Sequence, residues 1–339
     1  MIALTFLGIL VVAWTIAEIG TTTLTAQGAG PLTSRGLRLI WKLCLRVFSK
    51  SPRRHAIFTK IGPLFLALTA LGWYVGLWLG WWLVFLGASG SIVDSSTNEP
   101  ASALDTLYFA GYTITTLGIG DFKPSGGIWQ ILTAVCAANG LLALTLSVTY
   151  LVPILSAAVQ KRQLALTIHG IGSTPTGILE RAWCGKSLSS LDGILPDIST
   201  QILTLGEQHL AYPILHYFHS RHAESALPVR LAAFSEAIDV IAAATPQEVR
   251  PSRLSLIQCQ AAVATFLRAM ESAHIDTSER QPAPPDMSEA VASGVPVDAA
   301  PNVGAGAGGA DRRLLKSLVE SDGWSWHDVV STGGDRSPS

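Results

Sequence analysis

The sequence predicts an all-α membrane protein with three spanning helices, a short re-entrant loop between the second and third, and a mainly helical soluble half. Three observations carry that expectation. Apolar residues make up 49% of the chain and charged ones only 14%, which places it outside the usual soluble class. Three uninterrupted apolar stretches each exceed the roughly 20 residues a helix needs to cross a bilayer. The interval between the last two is too short and too polar to cross.

The first span covers residues 1–24. It has no basic start and no small-residue cleavage pattern after it, so it reads as a retained helix rather than a signal peptide. The second span is expected over 62–86. Gly72, Gly76 and Gly80 recur there at a four-residue step that lets a neighbouring helix come close. Trp78, Trp81 and Trp82 gather at its far end, where an interfacial aromatic belt belongs. The third span is expected over 128–158. Glu18, in the first span, reads as a carboxylate facing the membrane interface or as one half of a buried ion pair.

Orientation follows from charge segregation. The net charge is −1, yet no acidic residue lies between Ile19 and Val93, while Arg35, Arg38, Lys42, Arg46, Lys50, Arg53, Arg54 and Lys60 crowd one stretch. The positive-inside rule puts this 25–61 segment in the cytoplasm and the N-terminus outside. The loop before the third span holds Asp94, Glu99, Asp105 and Asp121 against Lys123 alone, as suits an outer face. Within the basic segment, residues 33–50 alternate cations with Leu39, Ile40, Trp41, Leu43 and Val47 at helical spacing. This predicts an interfacial helix on anionic lipid, either a slide helix acting on the second span or a plain anchor.

The loop itself, residues 102–122, has its own order. Ser102 and Asp105 form a capping box ahead of a helix from Leu104 to about Thr115. The run Thr115-Thr116-Leu117-Gly118-Ile119-Gly120-Asp121 follows. This run, held between two spans, resembles the pore loop of the potassium channel superfamily, of the single-pore-loop, two-transmembrane type. The resemblance covers residues 62–158, and the helix at 1–24 is an addition to it.

The resemblance implies a tetrameric pore domain, since one loop per chain supplies a quarter of each ion-coordinating ring. It assigns Thr116, Leu117, Gly118, Ile119, Gly120 and Asp121 to the selectivity filter, where backbone carbonyls replace the water shell of potassium. Tyr108 and Phe109 fall on the aromatic pair that braces the pore helix, with Tyr112 and Thr115 as further support. Gly140 lies 20 positions after Gly120, where such channels carry a hinge glycine. Two departures stand out: the commonest filter has Val and Tyr where this chain has Leu117 and Ile119. Leu-Gly-Ile resembles the second filters of two-pore-domain channels, which remain potassium-selective. Ile119 nonetheless lacks the hydroxyl that a tyrosine would donate to the pore helix, which leaves open a softer selectivity.

In the third span, Asn139, Ala143 and Ser147 share a face and would line a cavity, or Asn139 bonds across to a neighbouring helix. Gly140 and Pro153 are candidate bending points of a gate. The function expected is passive potassium conduction, with a weakly selective cation channel or a non-conducting membrane sensor or scaffold as alternatives. No enzyme is expected, nor any cofactor beyond the permeant ion, nor a nucleic-acid partner. A cytoplasmic ligand, if any, is not readable. The cysteines (Cys44, Cys136, Cys184, Cys259) lie far apart and read as inert thiols.

Residues 159–276 are expected to be a helical cytoplasmic domain. LALTI (164–168) reads as strand-like, turning helical at Thr174, a cap, with Pro175 at the first helical position. Gly170, Gly172 and Gly177 have the wrong spacing for a dinucleotide loop. His209, His216, His219 and His222 read as surface histidines of an aromatic-rich helix, with a metal site or a pH sensor as the sharper alternatives. Residues 277–309, rich in Pro, Ala and Gly, are expected to be a disordered linker. Residues 310–339 recover an amphipathic helix around Leu314, Leu315, Leu318, Val319 and Trp326, docking on the same domain or a partner.

Overall fold

A computed structural model describes residues 2–25, 31–48, 54–272, 280–298 and 312–331. The chain forms two compact units. One comprises Met1–Leu37 and Leu64–Pro153, the other Arg38–Pro63 and Ile154–Ser339.

The first unit contains three helices long and apolar enough to span a membrane, in whole or part: α1 (Ile2–Leu24), α3 (Arg54–Leu86) and α5 (Ile128–Ile171). The helix α2 (Pro31–Phe48) lies between the first two in sequence. α1 and α3 pack antiparallel along glycines. A Cβ on Gly76 would lie 2.9 Å from the Thr15 hydroxyl, on Gly80 2.7 Å from Val12, and on Gly87 2.2 Å from Thr5. Gly8 of α1 completes the seam against the Val84 backbone. Close backbone approach of this kind is how helices associate where lipid supplies no hydrophobic drive. Gly72, expected to share this role, faces nothing within 4 Å. Glu18 is buried at 6% exposure, so the interface-facing reading does not describe it.

Between α3 and α5 the chain forms β1 (Ile92–Asp94), α4 (Ala103–Ile114) and β2 (Phe122–Pro124). The two strands pair antiparallel, Ile92 opposite Pro124 and Asp94 opposite Phe122. The capping box forms as expected: the Ser102 hydroxyl accepts from the Asp105 amide while Asp105 accepts from Ser102. The α3 tryptophans do more than mark a belt. Trp78 donates its indole N–H to the Leu107 carbonyl at 2.9 Å and Trp82 to Ala103 at 3.0 Å, so α4 is hung on α3 by its backbone.

Among the described residues of the second unit, helices are the only regular elements. Both pore-domain boundaries expected from hydropathy were short: α3 begins at Arg54, not 62, and α5 runs on to Ile171, not 158. Polar residues Gln160 to Gln163 end the apolar run without ending the helix, because they are good helix formers. The strand-like reading of 164–168 fails for the same reason. Leu164, Ala165 and Ile168 are buried on one helical face, while Leu166 is 42% exposed.

α6 (Pro175–Ala182) is capped by Thr174, whose hydroxyl accepts from the Gly177 amide. α7 (Leu195–Ala211), α8 (Leu227–Ala244) and α9 (Arg253–Ser272) build the core. α8 is its axis: every residue from Leu227 to Ile241 is buried. Its charged members are each partnered. Arg230 reaches the Ser173 and Asp328 carbonyls, Asp239 accepts from Gln260 at 2.8 Å, and Glu236 forms a two-pronged pair with Arg312 at 2.6 and 2.8 Å.

The tail resolves toward its own domain. In α11 (Arg312–Ser321), Leu314, Leu315, Leu318 and Val319 are buried in the core that holds α8 and α9. The expected linker also needs correction. Over 280–298 the chain carries the helical turn α10 (Ser288–Ala292), with Met287, Ala290 and Val295 buried, because sparse apolar residues anchor a Pro-rich strand of chain. The rest of 277–309 lies outside the described residues.

Candidate ion-conduction site

The helix α4 ends in a Schellman cap. Thr115 is the last residue with helical geometry, Thr116 turns left-handed at φ 57°, and two backbone bonds close the end. The Thr116 amide donates to the Thr113 carbonyl at 3.0 Å and the Leu117 amide to Tyr112 at 2.8 Å. A non-glycine residue costs about 1–2 kcal/mol in that region, and here two hydrogen bonds offset it.

Beyond the cap, left-handed and right-handed residues alternate. Thr116, Gly118 and Gly120 have φ of 57°, 59° and 92°, while Leu117 and Ile119 have negative φ. An extended strand turns successive carbonyls to opposite sides; this alternation turns them the same way. The glycines supply the freedom, and a Cβ on either would meet nothing within 4 Å.

Carbonyls on both sides of the run are occupied. Before it, Tyr112 and Thr113 accept from the cap amides and Ile114 accepts from the Tyr74 hydroxyl at 3.1 Å. After it, Gly120 accepts from the Ser95 hydroxyl at 2.6 Å, Asp121 from the Ser95 amide at 2.9 Å, and Phe122 from the Tyr112 hydroxyl at 2.6 Å. Among the described hydrogen bonds, none reaches the carbonyls of Thr115 through Ile119. Four of those five belong to the run assigned to a filter.

The aromatics beside the run pack on α3 and on one another. Phe109 is 2% exposed and meets Phe85 edge-on at 5.4 Å. Tyr108 donates to the Asp121 carboxylate at 3.3 Å and meets Tyr112 edge-on at 5.1 Å. Thr115 turns its hydroxyl back to Gly111 at 2.9 Å. Leu117 and Ile119 are 67% and 46% exposed on the single chain. Sequence reasoning missed Ser95 and Lys123, whose ammonium donates to the Ser95 carbonyl at 3.2 Å. The polar turn after Asp94, whose carboxylate accepts from the Ser96 and Thr97 amides, is the signal that could have found them.

In α5, Asn139 is half-buried beside Gly140. Gly140 is a contact before it is anything else. A Cβ there would lie 1.8 Å from the Ile114 carbonyl oxygen and 2.7 Å from its carbon. α5 thus crosses the C-terminal end of the pore helix at this residue. The helix runs unbroken through Pro153, where the two compact units divide.

The histidine reading changes as well. Pro213 stops α7 and starts a 3-10 turn over Pro213–Tyr217, so His216, His219 and His222 do not share a helix. Among the described residues no group of three metal-ligating side chains gathers. Of the lipid-facing segment expected at 33–50, α2 forms a helix with Leu39, Leu43 and Val47 exposed. The side chains of Arg35, Arg38, Lys42 and Lys50 lie outside the described residues, as does Arg53.

Comparison with known proteins agrees with this geometry. Residues 81–157 match the family described as ion channel. Over 289 residues, 85% of this chain and 84% of the relative, the sequence is 35% identical to the uncharacterized membrane protein YdjJ of Bacillus subtilis (strain 168). No solved structure matches. The chain therefore belongs to one family with that membrane protein and carries an ion-channel domain of the two-transmembrane potassium-channel type, with an additional N-terminal apolar helix.

Proposed function

We propose that the protein is a potassium-selective channel of the cell membrane, a homotetramer whose filter is Thr116, Leu117, Gly118, Ile119, Gly120 and Asp121. The observation that carries this reading is the set of consecutive carbonyls from Thr115 to Ile119, four of them in that filter, which no described hydrogen bond reaches and which Ile114 and Gly120, both with donors, bound. Carbonyl oxygens left bare in a membrane are costly unless something coordinates them. A dehydrated monovalent cation held between stacked rings of four is the occupant that suits them. The exposed Leu117 and Ile119 side chains fit the flanks of neighbouring subunits in such a ring.

The missing filter tyrosine favours a second reading, a weakly selective cation channel. Against it stand the struts from Tyr108, Tyr112 and Ser95, which hold the outer end of the run without a hydroxyl at position 119. The antiparallel seam of α1 and α3 suits an N-terminus outside and a cytoplasmic second unit. The exposed apolar face of α2, in the basic segment, suits an anionic inner leaflet.

The test is ion efflux from proteoliposomes. Wild-type protein should release potassium far faster than sodium, and Gly118→Ala should abolish the flux while still reconstituting. Equal release of both ions would favour the weakly selective channel. Flux unchanged by Gly118→Ala would remove the filter assignment.

A further inference from the structure

Within the second unit, four side chains from three separated parts of the chain make a directional relay. Arg54 Nε donates to His55 Nε2 at 3.1 Å, and His55 Nδ1 meets His219 Nε2 at 2.9 Å. His219 Nδ1 lies 3.4 Å from the Asp322 carboxylate. A guanidinium nitrogen is always a donor, so His55 Nε2 must be the bare acceptor and its proton sits on Nδ1. That proton points at His219 Nε2, which must in turn be bare, and the His219 proton faces Asp322. The bonds thus run one way, from Arg54 to His55 Nε2 and from His55 Nδ1 to His219 Nε2, leaving the far side of His219 beside the Asp322 carboxylate.

The surroundings make the assignment consequential. Trp324 stacks on His55 at 4.0 Å and lies nearly parallel to His219 at 5.6 Å, while Phe58 meets His219 edge-on at 5.5 Å. His219 and Asp322 are 6% and 1% exposed. Charged and titratable groups surround the relay: Arg54 from α3 and Asp322 and Asp328 from the C-terminal segment act on His55, and Lys161 from α5 and His216 from the 3-10 turn act on Asp322. Lys161 is itself buried, donates to the Phe218 carbonyl at 3.1 Å and balances Asp322. The C-terminal partners are presented by a second Schellman cap. There Gly323 turns left-handed at φ 82° and the Trp324 amide donates to Val319 at 3.1 Å.

An added proton has no place in this relay. On His55 Nε2 it would face the Arg54 N–H. On His219 Nε2 it would face the His55 N–H, and moving that proton along returns the conflict to Arg54. Either way an imidazolium is added beside the cations Arg54 and Lys161. Once the cluster opens, water can solvate the charge. The closed form therefore binds fewer protons than the open one, and acid must favour opening.

We propose that this relay is an acid-released latch, which clamps the C-terminal segment 321–331 to the start of α3 at neutral pH and lets it go as the imidazoles take up protons. The latch goes beyond conduction, and its test does not depend on any current. Hydrogen exchange of the full chain in lipid nanodiscs, at about pH 7.5 and about pH 5, reads it directly. With an ordinary histidine pKa of about 6.5, each ring that must charge on opening shifts the equilibrium about 30-fold at the lower pH. The protection of 321–331 should fall at least about tenfold, well beyond any fall in α7 and α9. His55→Phe retains the stack on Trp324 but cannot titrate, and leaves His219 free to charge against Asp322, so its acid response should vanish. Arg54→Leu, a change at a partly exposed side chain, should weaken the response without disturbing the core. The latch is refuted if 321–331 keeps its protection in acid. It is equally refuted if protection falls alike in α7 and α9, or if both variants respond as the wild type does.

Discussion

Replacing Gly140 by alanine separates two roles this residue could have. If it is a hinge, alanine stiffens α5 and adds about 1 kcal/mol of helix propensity, leaving the fold more stable. If it is a contact, the new methyl meets the Ile114 carbonyl oxygen at 1.8 Å. Ordinary carbon–oxygen contact needs about 3.2 Å, so one helix must retreat by about 1.4 Å. Neither side yields easily, since both colliding groups belong to backbones and the Ile114 carbonyl is also pinned by Tyr74 at 3.1 Å. Overpacking of this kind costs about 1–3 kcal/mol or more, which exceeds the propensity gain. The expected outcome is a lower melting temperature of the detergent-solubilised protein, together with loss of flux as the pore helix is displaced. Gly72→Ala, inside α3 where nothing lies within 4 Å, is the control and should be at least as stable as wild type. A Gly140→Ala protein as stable as wild type would refute the contact argument and return the residue to its hinge role.

Other substitutions test the remaining links. Tyr112→Phe removes the 2.6 Å bond to the Phe122 carbonyl, worth about 1 kcal/mol, and should make the current decay faster under sustained recording while the protein still assembles. Arg312→Met strands the buried Glu236 and should cost about 3–5 kcal/mol in the second unit, whereas Arg312→Met with Glu236→Met should recover most of it in a denaturant titration. Burial pushes the His209 imidazole down to about 3, so its contribution is fully present above about pH 6.5 and drains as pH falls toward 3. At about pH 5 that loss is about 2 kcal/mol. Burial raises the Asp239 carboxyl to about 6, which stabilises in the opposite sense over the same window and offsets about two thirds of it. Comparing wild type with His209→Phe across pH isolates the first contribution, and identical pH slopes would remove it.

What could be read from the chain were signals carried by neighbouring residues. The capping box of Ser102 and Asp105, the Thr174 cap and the positive φ of Gly118 and Gly120 all depend on residues within a turn or two, and each formed where expected. What could not be read depends on chain segments far apart. Gly140 looked like a bend because nothing nearby in sequence shows that Ile114 lies against it. His55 and His219 are 164 residues apart, and only folding makes them partners. Ser95 sat in an unremarked polar turn, although its hydroxyl holds the outer carbonyl of the filter run. Hydropathy ended α5 at 158 because it measures membrane depth, whereas the helix continues on propensity and on burial of Leu164 and Ile168. The Pro-rich stretch looked like a linker on composition, yet three small buried contacts at Met287, Ala290 and Val295 suffice to order part of it.

The central claim is that the bare carbonyls from Thr116 to Ile119 select potassium although no tyrosine stands at 119. Its most direct test is the reversal potential of the purified protein in a planar bilayer with potassium on one side and sodium on the other. The account predicts a value close to the potassium equilibrium potential. A clear current reversing near zero would contradict it.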